Sequence, residues 1–235
     1  MDSAGSPQLV LIDTSSLLPL VYCGHGRMVR LIEAKYALQF GIVQAVKSEA
    51  QNRLSPPSKF AGRQEALRKA VENKTLVIVD GAYLKSRFES VGESLFRRCD
   101  EEGESLYYLG LDRGEAYTYG ASLILKCPVV NDDNTALRRL RRDRTDVPTP
   151  HLRLWDIILF GLQAGLLTQR DCEGTRTSLL KLKEGMPACF LAKSVSVGLS
   201  CFYCRLVDPT RPSIGAERTQ APFDECGRLE VRPVP

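Results

Sequence analysis

Histidine is scarce in this chain: 235 residues contain two, His25 and His151, both in uninformative contexts. The chemistry sought is therefore one that needs no imidazole. Long apolar runs are also missing. The most apolar stretch, 154–167, is interrupted by Asp156 and Gln163 and falls short of the roughly 20 residues that a membrane span requires. Residues 1–8 carry Asp2 and no Lys or Arg, and the apolar run 9–12 is too short for a signal-peptide core. These absences predict a cytoplasmic protein with no membrane partner. Internal repeats and low-complexity tracts are lacking as well. Charge of one sign is barely in excess, with 32 Lys plus Arg against 28 Asp plus Glu for a net +4. So small a mean says nothing about partners unless it is concentrated in one place.

The eight cysteines are scattered through a chain long enough to bury a core without disulfide staples, so reduced thiols are expected. Cys201-Phe-Tyr-Cys204 has the spacing of half a zinc site, but no second pair follows, and a buried strand is the expected reading. With 43% hydrophobic and 26% charged residues, disordered, collagen-like and coiled-coil chains are excluded, leaving a globular protein of one or two domains.

Strand-like and helix-like stretches alternate as far as about residue 170. Residues 9–12, 40–43, 75–79 and 128–130 read as strands, and the first is apolar throughout, as expected where both faces of a sheet are covered. Residues 63–73, 83–100 and 115–126 read as helices at a 3.6-residue period, and 155–167 as a last apolar helix after Pro148-Thr-Pro150. This alternation predicts an α/β domain with a central parallel sheet. Residues 171–235 are expected to form a partly packed extension with a loose end, holding a helix over 175–183 and a strand-like stretch over 193–207.

Ligands of an open parallel sheet bind beyond the carboxyl ends of its strands. Asp13 closes the first expected strand, and Asp132 and Asp133 close the fourth. Glu115 opens a helix, and Glu49 lies just beyond the second strand. Carboxylates brought together repel one another, which raises their pKa values or calls for a cation between them. A hard divalent ion, Mg²⁺ or Mn²⁺, suits oxygen ligands. It can activate water and stabilise the displacement at a phosphodiester. Each acid also has a structural reading. Asp13 before Thr14-Ser15-Ser16 fits a helix cap, Asp112 and Glu115 have capping-box spacing, and Asp132-Asp133-Asn134 fits a strand-to-helix turn.

Leu9-Val-Leu-Ile-Asp-Thr-Ser15, Gly114-Glu-Ala116 and Val129-Val-Asn-Asp-Asp133 followed by Arg138 together resemble the PIN-domain family. The likeness extends to a prokaryotic subgroup carrying Gly-Glu-Ala and then Asp-Asp, and covers residues 8–170. It implies a three-layer α/β/α nuclease domain over 8–170 and a Mg²⁺- or Mn²⁺-dependent ribonuclease. The catalytic acids would be Asp13, Glu49, Glu115 and Asp133, and the metal ligands Asp13, Glu115, Asp132 and Asp133. Ser15 would contact RNA. Tyr117 stands where the subgroup often has a further acid. Many members act as toxins, so the partners expected are RNA, a small antitoxin protein and a second copy of the chain. The alternative is a non-catalytic PIN-like module that binds RNA or a protein. A haloacid-dehalogenase-type phosphatase would need an Asp at position 15, which is serine.

Arg138-Arg-Leu-Arg-Arg-Asp-Arg144 holds five Arg and one Asp, a surplus equal to that of the whole chain. On a helix leaving the acids, Arg138, Arg139, Arg141 and Arg142 are expected to reach RNA phosphates, against the plainer reading of a solvated face.

Overall fold

The computed structural model describes residues 7–143, 151–163 and 165–183. Five strands form one parallel sheet: β1 (Gln8–Ile12), β2 (Leu38–Val43), β3 (Val77–Val79), β4 (Val129–Val130) and β5 (His151–Leu152), in the order β3-β2-β1-β4-β5. From β1 the chain steps outward through β2 to β3, then crosses back to β4 on the other side of β1. The direction of winding therefore reverses between β1 and β4, whose register pairs Leu11 with Val129 and Ile12 with Val130. In such sheets the crevice beyond that reversal is where ligands bind.

The strands explain their own burial. Four of the five β1 residues and five of the six β2 residues are buried, so helices cover both faces in three α/β/α layers. The first crossover is made by α1 (Thr14–Tyr22) and α2 (Gly26–Tyr36), and the second by α3 (Gln44–Arg53) and α4 (Gln64–Glu72). Three helices, α5 (Gly81–Phe88), α6 (Gly92–Tyr108) and α7 (Arg113–Leu125), lead to β4. The chain continues through α8 (Asn134–Asp143) to β5, α9 (Leu154–Gln163) and α10 (Gln169–Lys181). Trp155, Tyr119, Phe40 and Phe60 are the largest fully buried side chains. Each removes enough apolar surface from water to contribute roughly 2 to 3 kcal/mol.

Glycine sets the spacing of the helix pair nearest the site. A Cβ on Gly120 of α7 would lie 2.5 Å from the backbone nitrogen of Gly103 in α6. Any larger residue there would force the two helices apart.

The structure departs from the expected elements at identifiable places. Residues 83–100 are not one helix: α5 ends at Phe88, a 3₁₀ turn spans Glu89–Val91, and α6 runs on to Tyr108. Glu89 has φ +48, and a Cβ on Gly92 would stand 2.4 Å from the Leu84 carbonyl oxygen. The chain folds back there because only glycine lets α6 start against the α5 backbone. The helix expected over 175–183 begins earlier, at Gln169, because Thr168 and Asp171 form a reciprocal capping box. That helix buries Cys172, Thr175 and Leu179, and Thr175 Oγ1 lies 2.7 Å from His25 Nε2. Part of the stretch beyond 170 thus packs on the core of the domain. The strand-like stretch 193–207, with Cys201 and Cys204, lies outside the described residues, as do Arg144 and the side chain of Arg141. Cys23, Cys99, Cys127 and Cys172 are free thiols. Among the described residues no helix is long and apolar enough to cross a membrane.

Candidate active site

Asp13 follows β1 directly and is the N-cap of α1, with extended backbone angles and Oδ2 accepting a 3.0 Å bond from the Ser15 N–H. Capping explains that oxygen and leaves the other. Oδ1 is buried and has no hydrogen-bond partner among the described residues, in a residue only 2% exposed. Burial pushes the Asp13 carboxyl up to about 6; the N–H groups of Ser15 and Thr14 oppose this, and the Glu49 charge adds to it. A buried carboxylate oxygen without a partner is costly, and such atoms are uncommon in folded proteins.

The three hydroxyls of the first α1 turn fan out to different neighbours. Thr14 Oγ1 donates to Glu49 Oε2 at 2.9 Å, tying α1 to α3. Ser15 Oγ donates to Asn131 Oδ1 at 2.7 Å and accepts from the Asp132 N–H at 3.1 Å. Ser16 Oγ donates to Asp132 Oδ2 at 2.6 Å. A single turn of helix thereby connects the ends of β1, β2 and β4. The Ser15 hydroxyl, expected to face RNA, is held between two residues that follow β4.

Asn131 is the centre of this arrangement and carries no charge. It is fully buried. Its Oδ1 also accepts from the Asp133 N–H at 2.7 Å, and its Nδ2 donates to the Tyr119 hydroxyl at 3.2 Å. Tyr119 OH lies 2.8 Å from His151 Nε2, with the two rings stacked. A buried polar chain therefore runs from β5 through α7 to the loop that carries Asp132 and Asp133. Asp133 Oδ1 accepts from the Thr135 N–H at 2.6 Å, at the start of α8. Asp132 Oδ2 accepts a further, longer bond from the Leu154 N–H at 3.3 Å.

Glu115 sits in the first turn of α7 and is partly buried. Burial raises its carboxyl to about 8, reinforced by the charges of Asp13, Asp133 and Asp112. The acids at the ends of β1 and β4 and at the start of α7 are thus close enough to sense one another. Glu49 borders the same spot from α3. A Cβ on Gly114 would lie 2.5 Å from Glu49 Oε2, 3.1 Å from Thr14 Oγ1 and 3.5 Å from Asp13 Oδ1. Only glycine at 114 lets the Glu49 carboxylate approach this closely. Glu49 Oε1 pairs with Arg53 Nη1 at 3.3 Å, an exposed pair of small energetic consequence.

Among the described residues, no group of three or more His, Cys, Asp and Glu side chains stands close enough together to hold a metal ion. The donor set is nevertheless of the right kind: carboxylate oxygens, one of them buried and unpartnered, beside a Glu whose carboxyl is raised partly by its acidic neighbours. This suits a hard divalent cation, on which the carboxylates would have to close.

The basic helix α8 leaves this site amphipathically. Ala136, Leu137 and Leu140 are buried, while Arg138, Arg139 and Arg142 are exposed. Arg139 donates to the Gly110 carbonyl, and Arg142 pairs with Asp143 at 2.6 Å.

Thr14, Ser16, Gly114 and Asn131 stand in motifs visible in the sequence, which assign them no role in the site. The run of hydroxyls after β1 was a usable signal for the first two. No family model matches the chain, and no match was found among the curated proteins.

Proposed function

We propose that the protein is a divalent-metal-dependent ribonuclease of PIN type, hydrolysing RNA phosphodiester bonds at the ends of β1 and β4. The observation that carries this reading is the Asp13 carboxylate, buried with one oxygen unpartnered where the winding of the sheet reverses. Asp13, Glu115 and Asp133 are the residues that would hold Mg²⁺ or Mn²⁺. When bound, the ion offsets their mutual repulsion and activates the attacking water. Glu115, pushed up to about 8 by burial and by its acidic neighbours, would serve as a ligand in its ionised form. Asn131 orients the Asp133 backbone, and Gly114 lets Glu49 come close to Asp13. Arg138 and Arg142 lie on the helix leaving the site, where flanking phosphates would run.

The test is incubation of the purified protein with labelled RNA and Mn²⁺, alongside Asp13→Asn. Cleavage by the parent and at least about hundredfold slower cleavage by the variant is expected. Absence of cleavage, or cleavage that survives the substitution, defeats the reading. A second reading, a non-catalytic module binding RNA, is favoured by one specific observation. Glu49 and Asp132 are already engaged by Thr14 and Ser16. RNA binding without cleavage would select it. A toxin role rests on the family resemblance, and growth arrest on expression, relieved by Asp13→Asn, is its test.

A further inference from the structure

Beside the acids, between α3 and the α6–α7 pair, lies a groove of about 720 Å³ whose walls include Asn52, Phe96, Asp112, Arg113, Gly114 and Tyr117. Its volume falls in the range of small-molecule sites. Glu49 and Gly114 line it and stand beside Asp13, whose Oδ1 would lie 3.5 Å from a Cβ on Gly114. A residue bound in the groove therefore adjoins the reacting centre.

The chemistry of the walls narrows the occupant. Glu49, Asp100 and Asp112 outnumber Arg113 among the charged lining residues, so a phosphate is repelled and a neutral group with hydrogen-bond donors is favoured. Two aromatic rings are available to it. Phe96 is 38% exposed, and its ring lies against Gly81, where an added Cβ would stand 3.5 Å away. Tyr117 lies over Gly103, with the Arg113 guanidinium 5.8 Å from its ring centre. Unstacked bases of single-stranded RNA bind proteins by stacking on such rings and guanidinium planes, and by hydrogen bonds along their edges.

Asp112 identifies the base. It is the N-cap of α7, a position where an Asp side chain ordinarily bonds to the first helical N–H groups, yet it makes no such bond and lines the groove. A carboxylate accepts two parallel donors from a planar partner. Among the four RNA bases, guanine alone presents two adjacent donors, N1–H and N2–H, on its pairing edge.

We propose that this groove is a subsite for one unstacked guanine of single-stranded RNA, read by Asp112 and stacked on Phe96 or Tyr117. The assignment rests on the ribonuclease reading for its substrate class, and adds a sequence preference next to the cleaved bond.

Fluorescence anisotropy in EDTA measures it, with four labelled RNA heptamers of uridine that differ only in a central G, A, C or U. The G-containing RNA is expected to bind about tenfold more tightly than the other three, a difference typical of one well-placed base contact. Asp112→Asn should abolish that preference, so that the four RNAs bind alike, and Phe96→Ala should weaken binding of the G-containing RNA. Both positions are exposed, and thermal melting checks that the variants fold. Equal affinities for the four RNAs, a preference that survives Asp112→Asn, or no binding of any RNA would overturn the subsite. Because the readout is made without metal, guanine preference without Mn²⁺-dependent cleavage defeats only the nuclease reading. Cleavage without guanine preference defeats only the subsite.

Discussion

The two flanks of the candidate site are built on opposite terms. On the β4 flank, Asn131, Asp132 and Asp133 are tied by hydrogen bonds to Ser15, Ser16, Thr135 and Leu154. On the β1–α7 flank, Asp13 keeps a buried oxygen without a partner among the described residues, and Glu115 is pushed up to about 8. A saturated network fixes geometry, whereas unmet acceptors store free energy that a ligand can recover. The first flank is thus mainly a scaffold, which holds Asp133 toward Asp13 and Glu115 on the second.

The sharpest way to break that contrast is to remove its hub. Asn131→Leu would strand the partners of three hydrogen bonds in a buried position. It should lower stability by about 3 kcal/mol or more, read from urea unfolding. A loss below about 1 kcal/mol would show that the β4 flank is not a scaffold.

Asp13→Asn should act in the opposite direction. The Asp13 carboxyl is raised from 3.8 to about 6 in the folded protein, so between those values the native state holds more protons than the unfolded chain. Parent stability therefore falls as pH rises from about 4 to 6. Asparagine does not titrate, so in EDTA the variant should match the parent near pH 4 and exceed it above about pH 7 by up to about 3 kcal/mol. Glu115 drives the parent the same way, with stability falling toward pH 8. A variant less stable than the parent at that pH would mean that the ionised Asp13 is well solvated or paired.

Asp132→Asn should instead cost about 1 to 2 kcal/mol at neutral pH, because Ser16 Oγ and the Leu154 N–H both donate to its carboxylate. Opposite signs for two aspartates at neighbouring strand ends are the signature of the contrast. The smallest effect belongs to α8. Replacing Arg138 and Arg142 with Gln should leave stability within about 0.5 kcal/mol. The salt slope of RNA binding should fall by about 1 for each phosphate no longer neutralised.

Much of the fold was legible because its signals are local. Leu9-Val-Leu-Ile12 is apolar at every position, as a strand covered on both faces must be, and Asp13 closes it. Val129-Val130 before Asn131 carries the same signal on β4. What was hidden depends on neighbours far apart in the chain. The fold-back at Glu89–Val91 comes from Gly92 meeting the Leu84 backbone, and a 3.6-residue period over 83–100 is blind to it. Asn131 reads as a turn residue until Ser15, 116 residues earlier, and Tyr119 are placed beside it. The requirement for glycine at 114 comes from Glu49 on another helix. Charged residues at strand ends stand out in a sequence, while the neutral groups that arrange them do not.

The proposed divalent-cation site centres on the buried, unpartnered Oδ1 of Asp13. Isothermal titration calorimetry of Mn²⁺ into the metal-free protein at about pH 8 tests it most directly. Saturable binding is expected at one or two sites per chain, weakened about tenfold or more in Asp13→Asn and retained in Arg138→Gln. No saturable binding, or equal binding by the parent and Asp13→Asn, would contradict it.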